Sequence, residues 1–262
     1  MKLSILLYCA DKINESVRCI KSVLRQQNAN IELQLIFDNE KVKAKILDAV
    51  KPFSPRYTIK GDRTNKAAFD ELLQKTDSDF FMMAFYNQVF SVGFYDELEK
   101  SIEGYDGAVV NFSYRRNETF YKVYDQVSYS SYFTNTPRCY NIIFKTKIFK
   151  ENPIFFKLGS HEQAFLAASY FSFAKNILFL NTVFYYKDSK PLNDAAQAEL
   201  TYNDIWWIVK IASNLKKSGN MDCAASFASI YLNRFFAARN NAKGIAKLRY
   251  FYYSKKLSNI LF

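Results

Sequence analysis

The sequence contains few of the residues that mark disordered or metal-binding proteins. Only 7 glycines and 5 prolines occur among 262 residues, and 49% of the residues are hydrophobic, so the composition excludes a low-complexity chain and allows a sizeable core. A single histidine and the lack of any Cys-x-x-Cys pair argue against a zinc site. The scattered cysteines are typical of reduced thiols in a cytosolic protein. They are Cys9, Cys19, Cys139 and Cys223.

Long apolar runs are also missing. No stretch reaches the roughly 18 apolar residues that a membrane-spanning helix needs. The apolar start of the chain imitates a secretion signal, but only one lysine precedes it, and bulky Tyr8 stands where a small residue is needed before a cleavage site. We therefore interpret this segment as a buried first strand and expect a cytoplasmic protein.

Acidic residues are almost absent from the end of the chain. From Ile205 to Phe262, ten lysines and arginines stand against one acid, Asp222, which gives a net charge of +9, whereas residues 1–204 carry only +2. Aromatic residues are interleaved with these cations, a pattern typical of helices that lie at the surface of an anionic membrane. A merely solvated helix face is the alternative. Nucleic acid would also attract the cations, but no nucleic-acid-binding motif is present.

Hydrophobic periodicity predicts an alternation of strands and helices. Short apolar runs predict strands at residues 2–9, 31–37, 57–59, 79–85, 107–112, 139–144 and 177–184. Helical spacing predicts helices at residues 11–27, 40–50, 66–73, 92–102 and 160–170, and from residue 200 almost to the end with a break near Ser218 and Gly219. Such alternation predicts an α/β fold, with ligands beyond the carboxyl ends of parallel strands.

Four segments of the chain together carry a family pattern. They are SILLYCADKINESVRCIKSVLRQ, LQLIFDN, TDSDFFMMAFYNQVFSVGFYDELEKSI and GSHEQAFLAASYFSFAKNILFLNTVFYYK. In this order they resemble the inverting family 2 glycosyltransferases over residues 2–190. The resemblance implies a GT-A (Rossmann-like) fold, which is a mostly parallel sheet flanked by helices, here with an α-helical C-terminal extension. We divide the chain into a GT-A-like domain, residues 1–195, and a basic aromatic helical tail, residues 196–262.

The resemblance implies that a nucleotide sugar binds at the ends of the first strands. It puts Asp38 against the nucleobase or ribose, where a carboxylate can accept a hydrogen bond from uracil N3–H or a ribose hydroxyl. A turn-forming aspartate is the alternative. Asp11 aligns near the base, although capping the first helix is the competing role. Cys9, Arg63 and Lys66 complete the predicted nucleotide-binding residues.

The metal-binding motif of the family is altered. Members of the family hold a divalent cation, which neutralises the leaving diphosphate, with an Asp-x-Asp pair after the fourth strand. Here the aligned residues are Phe85-Tyr86-Asn87-Gln88, and the amides of Asn87 and Gln88 are poor substitutes for carboxylates. We therefore expect no firm cofactor and weak or absent Mg²⁺ or Mn²⁺ dependence. If cationic side chains replace the metal, the candidates are Arg63, Lys66, Arg138 and Lys187.

The resemblance assigns the catalytic base to the start of a predicted helix. Glu162 stands where the family has an aspartate, and either Glu162 or its neighbour His161 could take the proton of the acceptor hydroxyl. The alternative is an acid placed there only because the helix dipole favours it.

The predicted function is that of an inverting glycosyltransferase of the hexosyltransferase type. The resemblance implies transfer from a UDP-sugar or another nucleotide sugar to a lipid-linked or polymeric surface glycan, that is, polysaccharide biosynthesis. The charged tail predicts a peripheral location on the inner face of the cell membrane, and we expect no nucleic-acid partner. The alternative, which the altered metal motif favours, is a catalytically inactive GT-A-like domain that acts as a binding or assembly partner.

Overall fold

The structure is a computed structural model of two compact units. It describes residues 1–26, 28–53, 57–61, 65–116, 119–124, 128–134, 139–154, 162–187, 202–241 and 243–261. The sheet unit comprises Met1–Asp125, Tyr140–Pro153 and Asn176–Leu192, and the helical unit comprises Gln126–Cys139, Ile154–Lys175 and Asn193–Phe262. The helical unit thus draws in two earlier segments besides the C-terminal one. The predicted division at residue 195 stays a prediction.

The described residues of the sheet unit form nine strands in one sheet. They are β1 (Leu3–Cys9), β2 (Ile31–Phe37), β3 (Tyr57–Gly61), β4 (Phe80–Phe85), β5 (Gln88–Phe90), β6 (Gly107–Arg116), β7 (Thr119–Tyr124), β8 (Ile142–Lys145) and β9 (Ile177–Lys187). Their order is β3-β2-β1-β4-β8-β6-β9-β5, with β7 paired to β6. β1 and β4 are buried along almost their whole length, which explains why these segments are apolar without alternation.

The sheet is parallel in one half and mixed in the other. β3, β2, β1 and β4 run parallel, as the βαβ pattern predicts. Beyond β4, β8 pairs antiparallel to both β4 and β6, β6 and β9 run parallel, and β5 and β7 are antiparallel additions. The predicted α/β fold is confirmed. Among the antiparallel strands, β8 overlaps the predicted strand at 139–144, whereas β5 and β7 were not predicted, because they are too short or too irregular in pattern.

Five helices accompany the described strands of the sheet unit. They are α1 (Ile13–Leu24), α2 (Glu40–Val50), α3 (Asn65–Lys75), α4 (Phe94–Ser101) and α6 (Thr146–Glu151). The first two bury one apolar face, which matches the spacing seen in the sequence. α2 has a side-chain cap, because Asn39 Oδ1 accepts a hydrogen bond from the backbone N–H of Val42 at 3.0 Å.

The helical unit contains five described helices around an aromatic core. They are α5 (Tyr129–Thr134), α7 (Glu162–Phe171), α8 (Tyr202–Lys217), α9 (Met221–Asn241) and α10 (Gly244–Leu261). Phe227 lies at the centre, with the rings of Phe133 and Tyr231 at 5.5 and 5.1 Å. Gly219 and Gly244 both have positive φ, which favours glycine, and they precede α9 and begin α10. The predicted break near Gly219 is confirmed, whereas the break at Gly244 was not predicted.

Hydropathy gives no sign of a spanning segment in the ranges that the structure describes. None of the helices there combines the length and the apolar character needed to cross a bilayer.

Candidate functional site

The carboxyl ends of the central parallel strands lie side by side. β1 is flanked by β2 and β4, and the register pairs Cys9 with Phe37 and Tyr8 with Phe85. All three strands therefore end at nearly the same level. The loops that follow them meet at one edge of the sheet, which is where parallel α/β sheets bind ligands.

Asp38 joins two of these loops. Its Oδ1 accepts a hydrogen bond from the Tyr8 hydroxyl, and its Oδ2 accepts one from the backbone N–H of Asp11 at 3.2 Å. An ionised carboxylate offers about four acceptor positions, so the two bonds leave capacity for a ligand. Asp38 is half-buried, which leaves it accessible to one. The two bonds tie the segments after β1 and β2 together, so a structural role for this carboxylate stays the alternative to nucleotide binding.

The capping role expected for Asp11 is wrong. The residue before α1 is Lys12, and no side chain caps this helix. The Asp11 side chain is exposed, and its backbone amide is used by Asp38 instead. The helix begins one residue later than a cap at Asp11 requires.

Cys9 can meet a ligand only through its backbone. Its side chain is fully buried at the end of β1. Burial raises the pKa of the Cys9 thiol well above its ordinary value, because a thiolate would be poorly solvated there, although a hydrogen bond with Ser16 acts in the opposite direction. The thiol is therefore a core group and not a nucleophile.

The turn between β4 and β5 carries the altered metal motif. Asn87 is half-buried at the turn, and Gln88 is fully buried as the first residue of β5. The Gln88 side-chain oxygen accepts a hydrogen bond from the backbone N–H of Phe85 at 2.8 Å, so it faces the protein's own backbone. The residues at this turn therefore do not fit Mg²⁺ or Mn²⁺, which prefer carboxylate oxygens. In the described part of the chain, no group of three or more metal-ligating side chains is assembled.

Lys187 lies on the strand that pairs directly with β5. It ends β9, it is directly opposite Gln88 in the antiparallel β5–β9 pair, and only 5% of it is exposed. Its Nζ donates a hydrogen bond to the Tyr140 hydroxyl at 2.6 Å. Of the four cations proposed to replace a metal, Lys187 is the one whose side chain the structure describes.

Two tyrosines of this edge were not identified from the sequence. Tyr8 binds Asp38, and Tyr140 binds Lys187. Tyr8 could have been found, because it is the one side chain with a hydroxyl in the last part of the strand β1. Tyr140 gives no such signal, since it precedes the short strand β8 among many other tyrosines.

The structure does not describe the side chains of the remaining predicted site residues. His161, Arg63 and Arg138 lie outside the described residues. Lys66 is in α3 and Glu162 begins α7, but their side chains are not described. Their roles stay predictions.

A cavity of about 890 Å³ opens at the opposite edge of the sheet unit. It lies beside the start of β4, and both acidic and basic side chains line it, among them Asp79, Glu99 and Lys145. Ligands of parallel sheets bind at the carboxyl ends of the strands, so we do not assign the donor site to this cavity.

Comparison with solved structures shows which class of fold this is. No protein-family model and no curated protein matches the sequence. The S. aureus protein TarS, residues 1–349 with UDP-GlcNAc, matches with a TM-score of 0.71 and 14% identity, over 100% of this chain and 82% of that one. The same TarS fragment with UDP matches with a TM-score of 0.62 and 11% identity, over 100% and 90%.

A third match is a protein other than TarS. The mannosyltransferase PcManGT from Pyrobaculum calidifontis, with GDP-Man and Mn²⁺, has a TM-score of 0.53 and 7% identity, over 99% of this chain and 85% of that one. Likeness at these identities shows the fold. The chain has the α/β GT-A-like fold of glycosyltransferases, as the sequence predicted.

The buried thiols generate a prediction about chemical reactivity. All four cysteines are buried and form no disulfide, and burial raises the pKa of Cys9, Cys19 and Cys223. An unfolded thiol ionises near a pKa of about 8.5. Raising the pH toward 9 should therefore speed iodoacetamide labelling of the unfolded chain but leave the native protein almost unlabelled. Mass spectrometry of native and guanidinium-unfolded samples measures this, and fast native labelling of Cys9 would contradict the burial.

Proposed function

We propose that this protein is a glycosyltransferase that uses a nucleotide sugar. The observation that carries the proposal is the position of Asp38, an accessible carboxylate at the carboxyl edge of a GT-A-like sheet, held by the neighbouring strand through Tyr8. A UDP-sugar is the donor we favour, because a carboxylate there can accept from uracil N3–H or a ribose hydroxyl. TarS, which shares the fold, was solved with UDP-GlcNAc and with UDP.

The proposed reaction is an inverting transfer of a hexose. The acceptor hydroxyl attacks the anomeric carbon while the bond from that carbon to the diphosphate oxygen breaks. The acceptor proton goes to the base, for which Glu162 and His161 remain the candidates, and the nucleoside diphosphate leaves with the electron pair. The proposed acceptor is a lipid-linked or polymeric surface glycan, which places the protein in polysaccharide biosynthesis.

A catalytically inactive domain is the second candidate. The amides of Asn87 and Gln88 in place of two carboxylates favour it, because they do not fit the metal that supports the leaving group in the family. Nucleotide-sugar binding without turnover would be its signature.

The first test of the proposal is nucleotide binding at Asp38. We expect UDP to bind, and Asp38→Ala to weaken it by about 1–3 kcal/mol, because a buried donor of the nucleoside loses its acceptor. Isothermal titration calorimetry gives the affinities. Asp48→Ala, a change of an exposed acid in α2, is the matched control and should bind UDP like the wild type.

A second variant separates the contact of Asp38 with the nucleoside from the positioning of Asp38 by Tyr8. Tyr8→Phe removes the hydroxyl that holds Asp38 but leaves the carboxylate in place. It should cost less UDP affinity than Asp38→Ala. An unchanged affinity in Asp38→Ala would remove that residue from the site.

The base assignment gives a kinetic prediction. Glu162→Gln should lower turnover by about two to four orders of magnitude, the size of a general-base contribution, while UDP affinity stays close to that of the wild type. Radiolabelled sugar transfer to an acceptor extract measures turnover, and His161→Ala is the comparison variant. A near-normal rate in Glu162→Gln together with an inactive His161→Ala would assign the base to His161.

The exposed face of α10 supports a membrane attachment. Ile245, Leu248 and Tyr252 recur at helical spacing on this face and are 70%, 68% and 53% exposed, while Leu257 and Ile260 on the other face are buried. Four cations of the same helix are also exposed. They are Lys247, Arg249, Lys255 and Lys256.

We propose that this face binds the anionic inner surface of the cell membrane. Each cation near an anionic leaflet contributes on the order of 1 kcal/mol, and the exposed apolar side chains add to this when they enter the interface. The protein would then be cytoplasmic and peripheral. A lipid-linked acceptor, which diffuses only in the bilayer plane, would be concentrated near the enzyme.

Vesicle sedimentation tests the attachment. The full chain should pellet with phosphatidylglycerol vesicles, less so at high salt, and not with neutral phosphatidylcholine vesicles. The double variant Ile245→Gln, Leu248→Gln should lose most of the binding. Met221→Gln, which changes an exposed apolar residue of α9, is the matched control. Equal pelleting of the double variant and the wild type would exclude the α10 face as the attachment site.

A further inference from the structure

Two nitrogen groups occupy the same face of the sheet beside the β4–β5 turn. Gln88 and Lys187 are directly opposed in the antiparallel β5–β9 pair. Opposed residues of such a pair project to the same face with their Cβ atoms about 4.5–5.5 Å apart. Both side chains are buried, with 0% and 5% exposed. The Gln88 and Lys187 side chains are therefore buried neighbours on one face of the sheet.

The Gln88 amide presents a donor. The backbone N–H of Phe85 donates a hydrogen bond to this side chain. The oxygen is the acceptor of an amide, so the end that faces Phe85 is the oxygen. The amide nitrogen Nε2 is therefore the other end, and it is buried without a hydrogen-bond partner among the described residues. A buried donor without an acceptor is costly, which is the reason such groups usually mark a bound ligand or water.

The Lys187 ammonium is held by aromatic side chains. Its Nζ donates to the Tyr140 hydroxyl and lies 3.9 Å from the centre of the Tyr140 ring and 5.4 Å from that of Phe112. Electron-rich ring faces stabilise a cation and restrict its side chain. An ammonium carries three donors and can hydrogen-bond an anionic oxygen as well as a hydroxyl.

A continuous set of contacts joins Lys187 to the nucleoside end of the proposed site. Asp38 accepts from Tyr8, the Tyr8 ring lies 6.2 Å from that of Phe85, and the Phe85 ring lies 5.3 Å from that of Tyr140. Tyr140 in turn accepts from Lys187. One packed row of side chains thus spans the edge from the acidic end to the cationic end.

We propose that Lys187 and Gln88 bind the diphosphate of the donor in the place where the family binds a metal. This inference rests on the proposed function and adds its leaving-group site. Donors and a positive charge fit phosphate oxygens, whereas they would repel a divalent cation. When the bond between the anomeric carbon and the diphosphate oxygen breaks, the electron pair goes to that oxygen, and the Lys187 ammonium stabilises the charge by hydrogen bonding. The acceptor proton goes to the base.

The wild-type protein gives the first test. In EDTA, calorimetric affinities should rise in the order uridine, UMP, UDP, because the phosphates add contacts that need no metal. UDP affinity no greater than that of uridine in EDTA, or UDP binding that requires added Mn²⁺, would overturn the inference whatever the variants do. Absence of binding by uridine and UDP under all conditions would overturn the proposed function, and the inference with it.

Variants then test the residue. Lys187→Met keeps the apolar stem but removes the charge, and it should lower UDP affinity about ten- to a hundredfold while uridine affinity stays unchanged, as expected for loss of a hydrogen bond to a charged group. Lys187→Arg should retain part of the UDP affinity. Lys145→Met, which removes a half-buried lysine at the opposite end of β4, is the matched control and should bind UDP normally.

Comparing the uridine and UDP affinities of each variant separates a lost diphosphate contact from a general loss of structure. If Lys187→Met does not fold, Gln88→Leu, which removes the amide donor, should show a smaller loss of the same kind. An equal loss of uridine and UDP affinity in a folded variant would reduce Lys187 to a structural role, and unchanged UDP affinity would exclude it from the diphosphate site.

Discussion

The hydrogen bonding of β1 to β2 on one side and to β4 on the other is the constraint on which the rest of the sheet unit depends. Parallel pairing forces the three strands to end at one edge, and burial on both faces leaves only their ends for polar chemistry. Tyr8 and Asp38 meet because their strands are neighbours in this register. The altered motif after Phe85 reaches the same edge for the same reason.

The second half of the sheet completes this edge with antiparallel strands. β8 pairs antiparallel to β4, so Tyr140, just before β8, lies near the carboxyl end of β4, where its ring meets that of Phe85. β9 carries Lys187 to the same edge opposite Gln88. The mixed sheet therefore adds a cationic group and aromatic rings to an edge whose parallel part supplies the acid.

The helical unit uses its aromatic residues in two ways. Phe227 and Tyr231 fill the core, and burial raises the pKa of the Tyr231 hydroxyl because its charged form would lose hydration. Leu248 and Tyr252 of α10 remain on the surface among lysines and arginines. Some aromatic residues of the tail thus pack in the core, and others belong to an exposed face that is both basic and apolar.

The sequence by itself determined the α/β class, the main parallel strands and their helices, because short apolar runs and helical spacing are local signals. It also determined which residues are absent, namely the carboxylates after β4 and the acids after Asp222. Only the tertiary structure decided that the oxygen of Gln88 turns to the backbone of Phe85 and that Lys187 stands opposite Gln88. Strand pairing between distant segments sets these contacts, and no local pattern specifies a partner across the sheet. For the same reason the short strands β5 and β7 escaped prediction.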